Sequence, residues 1–312
     1  MKKIVVIGGG TGAFTVLRGL KHYTNRLTAI VSMFDSGGST GRLRDEFGFL
    51  PPGDVRRCIL ALAPETEKTK ILRELLSYRF SKGEGLNRHN FGNLWLTALR
   101  DVIGNELGAI DYLSNLFSIS GKVLPVTLDN SHLCAELSTG AIIRGETNID
   151  VPKHDGSLRI NKLFLEPSAH ALAASLEAVE DAELVVIGPG DLYTSLMPNL
   201  LVSGMKEALA RSQAKKVFVC NVMTKWGETH DFRVSDFVSE VEKYAGKILN
   251  VVVVNTKEAS PLLLERYAGE KAFPVIVDKE NISMTLIEAD LLNEQEILRH
   301  DSFKLAKVLI GL

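Results

Sequence analysis

Lys3-Ile4-Val5-Val6-Ile7, followed at once by Gly8-Gly9-Gly10-Thr11-Gly12-Ala13, is the stretch that decides the fold. Four apolar residues with two β-branched valines at their centre, and no alternation of polarity, suit a strand buried on both faces of a parallel sheet. The glycines behind it let the chain turn sharply into a helix and bring bare N–H groups close to a bound anion. Read as Gly8-x-Gly10-x-x-Ala13, the turn fits the alanine-ended form of the dinucleotide fingerprint, and Thr11 adds a hydroxyl donor. A tight turn that binds nothing satisfies the same pattern, and the match does not choose among nucleotides.

Working outward, residues 27–33, 184–187, 216–220 and 250–254 repeat the buried-strand pattern. Helical spacing of Leu, Ile, Val and Ala covers 13–22, 55–62, 66–80, 92–103, 168–181, 200–212 and 235–245. Strands alternating with helices predict a Rossmann-like, doubly wound α/β fold with a mostly parallel sheet. Short alternating runs split by Gly, Asp and Asn over 122–166 predict a small antiparallel insertion, so residues 1–312 read as one α/β domain carrying it. Asp301-Ser302 before FKLAKVLIGL offers an N-cap and a docking helix at the end.

Composition narrows the function. Thirty-six Lys+Arg against 38 Asp+Glu, a net charge of −2, give no basic field for nucleic acid or a membrane surface. Cys58, Cys134 and Cys220 lie far apart, which fits reduced thiols in a cytoplasmic chain and not a disulfide scaffold or zinc site. The apolar run at the start is too short for a signal peptide, and no stretch reaches the roughly 18 apolar residues of a membrane span.

Polar motifs recur just after the predicted strands, at the sheet edge where open α/β folds bind ligands. After the second strand, Asp35-Ser36-Gly37-Gly38-Ser39-Thr40-Gly41-Arg42-Leu43-Arg44 and then Pro51-Pro52-Gly53-Asp54-Val55-Arg56-Arg57 supply hydroxyls, glycines and four arginines. That suits polyphosphate or a charged sugar better than a nicotinamide riboside. Asn87-Arg88-His89-Asn90-Phe91-Gly92-Asn93 gathers imidazole, amide and guanidinium groups, although Asn90 or Asn93 could simply cap a helix. Gly188-Pro189-Gly190-Asp191 and Asn221 follow two further strands. Asp35, Asp54 and Asp191 could hold Mg²⁺ against a nucleotide's phosphates, and Asp54 could equally be an N-cap without chemistry.

In this order GGGTG (8–12), DSGGSTGRLR (35–44), LPPGDVRRCILAL (50–62), NRHNFGNLWLTAL (87–99), IGPGDLYTS (187–195), CNVMT (220–224) and RHDSFKLA (299–306) span nearly the whole chain. Together they resemble the bacterial gluconeogenesis factors of the CofD-like superfamily, relatives of the 2-phospho-L-lactate transferases. The resemblance implies a cytoplasmic, dimeric, Rossmann-like protein that binds UDP-sugars. It would regulate central carbon metabolism, cell-wall precursor supply and cell shape through a partner protein. It also implies that Thr11 and Arg299 bind the nucleotide sugar; the strand-end reading places Gly9, Gly10, Gly12, Asp35, Gly190 and Asn221 around it. Arg42, Arg44, His89, Asn90 and Asn93 would line the pocket. Asp54 matches the residue that the transferases place near a metal and the transferred group. Where the family commonly has two adjacent acids, Ser36 follows Asp35 here, which weakens a two-carboxylate metal site at that point. The alternatives are therefore a nucleotide-sugar-binding regulator, a Mg²⁺-dependent transferase of the phospholactate type, and a nicotinamide-dependent oxidoreductase resting on the glycine fingerprint.

Overall fold

The computed structural model describes residues 1–293 and 297–312. Along the chain run β1 (Ile4–Gly8), α1 (Gly10–Leu20), β2 (Leu27–Val31), α2 (Gly38–Phe47), α3 (Gly53–Leu62), α4 (Glu67–Ser77), α5 (Phe91–Ile103), α6 (Glu106–Leu116) and β3 (Lys122–Pro125). There follow β4 (His132–Leu137), β5 (Ile142–Arg144), α7 (Glu146–Asp150), β6 (Ile160–Glu166), α8 (Ala173–Glu180), β7 (Leu184–Ile187), a π-helical turn at Leu192–Leu196, α9 (Met197–Leu201) and α10 (Met205–Arg211). The chain closes with β8 (Lys215–Val219), α11 (Val234–Ala245), β9 (Val251–Asn255), α12 (Pro261–Gly269), β10 (Thr285–Ala289), β11 (Leu292–Asn293), β12 (Arg299–His300) and α13 (Ser302–Ile310).

Seven strands form one parallel sheet in the order β10-β9-β8-β7-β1-β2-β3. The chain winds outward from β1 through β2 to β3, then returns to β7 on the other side of β1 and winds outward again. The reversal lies between β1 and β7, where Ile4 to Ile7 pair with Leu184 to Ile187. Such a switch point leaves a crevice beyond the carboxyl ends of the two strands, because their following loops depart in opposite directions. Every residue of β1 and β7 is buried, and Val, Ile and Leu fill both sheet faces. The doubly wound α/β expectation holds.

Three local expectations are corrected. Lys122–Pro125 does not belong to the antiparallel insertion: it is β3 and pairs parallel with β2, Ala29 opposite Val123. The antiparallel sheet is β5-β4-β6, and it begins at His132. The segment after β2, left out of the expected helices, contains α2. Leu43 is its one aliphatic side chain, so it shows no apolar stripe, and a glycine at each end marks its limits, Gly48 adopting the left-handed conformation with φ +69. The helical pattern over 200–212 is broken at Gly204, φ +96, into α9 and α10.

Asp301 caps α13 as expected, its Oδ1 accepting from the N–H groups of Phe303 and Lys304 at 2.9 Å each. That helix packs on α1 so tightly that a Cβ on Gly19 would overlap the Ser302 carbonyl oxygen. Replacing Gly19 by Ala should therefore cost about 2 kcal/mol or more by overpacking, read as a lower urea midpoint at unchanged slope. An unaltered midpoint would contradict this packing.

Candidate functional site

At the switch point the glycine turn after β1 meets the Gly188–Gly190 turn after β7. Gly12 makes the meeting feasible, since a Cβ there would overlap the Pro189 carbonyl oxygen. Around this neck lie two adjoining chambers that share Thr11, Gly12, Asp150, Gly190 and Asp191. The wide chamber, about 620 Å³, is lined among others by Asn221, Met223, Lys225, Trp226, Tyr267, Arg299 and His300. The narrow one, about 310 Å³, is lined by the glycine turn together with Ser32, Asp35, Asp54, Arg57, Glu146, Thr194 and Ser195. Gly9, Gly10, Thr11, Gly12, Asp35, Asp54, Gly190, Asn221 and Arg299 are thus brought together, as the sequence suggested.

Asp54 sits in the first turn of α3 and makes no capping bond there, so the simple N-cap alternative does not describe it. Its carboxylate instead lies beside the Gly10 N–H at the start of α1, which favours the ionised form. A Cβ on Gly9 would collide with Asp54 Oδ2, which explains the glycine at that position. Burial and the neighbouring Asp35 charge push Asp54 up to about 7, with the Arg57 guanidinium opposing. Arg57 Nη1 also donates to Thr11 Oγ1 at 3.2 Å, tying α3 to α1 across the chamber wall. Burial raises Asp35 as well, against the hydrogen bonds it accepts from Gly37 and Thr40.

The insertion supplies what the sequence reading missed. Glu146 and Asp150 lie one turn apart on α7, hence on the same face, and both reach the narrow chamber. Glu146 Oε2 accepts the Ser36 N–H at 3.3 Å, so the second acid near Asp35 comes from α7 and not from the chain position that Ser36 occupies. Burial, Asp35 and Asp150 push Glu146 up to about 8. Spacing of Glu and Asp at i and i+4 was the available signal.

Between the chambers, Lys225 Nζ meets three carboxylates: Asp150, Asp191 at 2.9 Å and Glu228 at 2.9 Å. Burial disfavours the ammonium, yet Glu228, Asp191 and Asp150 outweigh it and hold Lys225 above the usual lysine range. Glu228, 1% exposed, also accepts from the Tyr193 N–H at 3.0 Å and the Thr194 hydroxyl at 3.1 Å. The three carboxylates are close enough to share a cation, and Lys225 already fills that role. Asp35, Asp54 and Glu146 are likewise held above the ordinary carboxylate range, and among the described residues Arg57 is the one cationic side chain lining their chamber. Their carboxylate oxygens are not drawn as close together as those of Asp150, Asp191 and Glu228, the one group among the described residues close enough to share a cation.

Five expected pocket residues lie elsewhere. Arg42 donates to the Asn87 carbonyl at 2.8 Å, away from both chambers. Arg44 is buried and holds the start of the insertion, donating to Asn130 Oδ1 at 2.6 Å and the Ser131 carbonyl at 2.5 Å. His89 is buried against Ser39, its Nδ1 3.1 Å from Ser39 Oγ, and burial with the Arg42 charge lowers its pKa. Asn90 caps α5, accepting from the Asn93 N–H at 3.1 Å. Asn93 accepts from Arg56 Nε at 2.9 Å and donates to Thr40 Oγ1 at 3.1 Å. Since Thr40 in turn bonds Asp35, this motif supports the chamber from one layer behind it.

The raised carboxylates give stability a definite pH dependence. Asp54 and Glu146 titrate at about 7 and about 8 in the folded chain, against about 4 when unfolded. Groups so shifted bind protons more tightly in the folded state, so their contribution is full below about pH 4 and is lost as pH rises through 7 and 8. Glu146→Gln cannot ionise and should be more stable than the parent at pH 8.5, by about 1–2 kcal/mol after solvent screening, and equal to it near pH 4. Urea titrations at both pH values check this; the same difference at each would contradict it.

The comparisons with known proteins agree with this architecture. The family model described as 2-phospho-L-lactate transferase CofD matches residues 4–292. A protein of Nostoc sp. is 46% identical over 99% of this chain and 68% of its own length. The proteins named gluconeogenesis factor of Halalkalibacterium halodurans and Bacillus subtilis are 39% and 36% identical, each over 99% of this chain and at least 96% of their own. A crystal structure of a Bacillus halodurans protein superposes with a TM-score of 0.93 at 38% identity, covering 99% of both chains. A Rossmann-like sheet with its cleft at the switch point, matched over its whole length in this way, places the chain in the CofD family, among the gluconeogenesis factors.

Proposed function

We propose that this protein binds a nucleotide sugar, with UDP-sugars as the ligand class, and acts as a cytoplasmic regulator of central carbon metabolism, cell-wall precursor supply and cell shape. The observation that carries the reading is the pair of chambers meeting at the Thr11–Gly12 neck. Their volumes, about 620 and 310 Å³, together exceed what a mononucleotide needs and suit a ligand with two bulky ends. Thr11 and Gly12, in the first turn of α1, supply amides without an intrahelical partner. Diphosphate would bridge the neck there, helped by the α1 dipole and by Arg57. The nucleoside would occupy the wide chamber, where Trp226 and Tyr267 offer flat apolar surface and Arg299 a guanidinium.

Titration calorimetry tests this. UDP-N-acetylglucosamine and UDP-glucose should bind, and Thr11→Ala and Arg299→Ala should each weaken them about tenfold, the loss expected for one hydrogen bond to a charged group. A folded protein that gives no heat with either compound would defeat the reading.

A second reading, a Mg²⁺-dependent transferase of the phospholactate type, is favoured by one feature: the carboxylate held near 7 at the chamber floor, Asp54. Asp54 would hold the cation, which would neutralise phosphate charge when bound. On this reading Asp54→Asn keeps nucleotide affinity and loses product formation, while equal turnover in variant and parent would dismiss it.

A further inference from the structure

The two chambers differ in charge more than in size. Facing the narrow one are the carboxylates of Asp35, Asp54, Glu146, Asp150 and Asp191, against the single guanidinium of Arg57. Lys225 answers part of this charge from the wide-chamber side, where Asp150 and Asp191 pair with it. Arg56 lies behind the wall, bonded to Asn93 and the Leu76 carbonyl, and does not line the chamber. The remaining lining is neutral and polar: Ser32, Thr194, Ser195 and the glycine turn. Above about pH 8, where Asp54 and Glu146 have lost their protons, a phosphate or carboxylate entering this space meets like charges at close range. Hydroxyl groups face no such obstacle, because carboxylates accept charge-assisted hydrogen bonds from them.

We propose that the narrow chamber is a charge filter: it accepts a neutral, hydroxyl-rich ring carried on the far phosphate of a nucleoside diphosphate, and rejects the same ring bearing a carboxylate, or a third phosphate in its place. The proposal rests on the nucleotide-sugar reading and adds what that reading leaves open, the chemistry of the sugar. Glu146 is the selective element, because it hangs from α7, the part of the insertion that reaches over the switch point, and it faces Asp35 directly enough for the two charges to disfavour one another.

UDP-glucose and UDP-glucuronate differ only in the oxidation of C6, so the pair isolates one negative charge. Calorimetry on the full chain, at pH 8.5 and with EDTA to exclude divalent cations, should give UDP-glucose an affinity about 30-fold higher than UDP-glucuronate or UTP. Glu146→Gln should narrow that ratio at least ~3-fold, since it removes one of the repelling charges. Equal affinities, tighter binding of UDP-glucuronate, or a ratio that Glu146→Gln leaves undiminished would each overturn the filter while leaving nucleotide-sugar binding intact. If UDP, UDP-glucose and UDP-glucuronate all fail to bind, the nucleotide-sugar reading falls, and the filter with it.

Discussion

The Asp54 carboxylate lies against the first turn of α1, beside Gly9 and the Gly10 amide, occupying part of the place where a glycine-rich turn of this fold commonly receives a phosphate. Much of the local construction follows from that contact. Gly9 must lack a side chain because Asp54 is there, and Arg57, one turn along α3, leans back to Thr11 on the opposite wall. Behind the chamber the chain Arg56–Asn93–Thr40 ends on Asp35, fixing a second carboxylate near the first. The protein keeps these acids at a cost in stability that grows with pH, as binding and catalytic sites often do.

The insertion turns this acidic floor into an enclosed space. Without α7 the crevice at the switch point would be an open edge of the sheet. With it, Glu146 and Asp150 form one side of the narrow chamber, and Lys225 fastens that side to the β7 turn through Asp150 and Asp191. Removing one partner from such a node leaves buried charge uncompensated, which is costlier than losing an ordinary surface ion pair. Structural and binding roles therefore overlap at the neck, where the two chambers share their residues.

The α/β fold was legible because its strands are buried on both faces and its first turn is rich in glycine, patterns that tertiary context seldom overrides. The carboxyl edge of the sheet was legible for the same reason: strand ends locate it. The division of labour among polar motifs was not. NRHNFGN and Arg44 carry the same groups that bind ligands, and only burial shows that His89, Asn90, Asn93 and Arg44 spend their hydrogen bonds inside the protein. Conversely Glu146 and Asp150 follow a short antiparallel strand of the insertion, and Lys225 and Glu228 lie just beyond the CNVMT motif, so nothing local aims them at the same point and their convergence depends on long-range folding. β3 was misplaced because a four-residue edge strand with one exposed and one half-buried position alternates as an antiparallel strand would.

The central claim is that one ligand spans both chambers with its diphosphate at the neck, and a crystal structure of the protein with UDP-glucose tests it most directly. The account predicts phosphate oxygens on the Thr11 and Gly12 amides and on Arg57, uracil in the wide chamber near Trp226, and glucose hydroxyls on Asp54 and Glu146. Phosphates lodged among the carboxylates of the narrow chamber, or a ligand bound away from the switch point altogether, would contradict it.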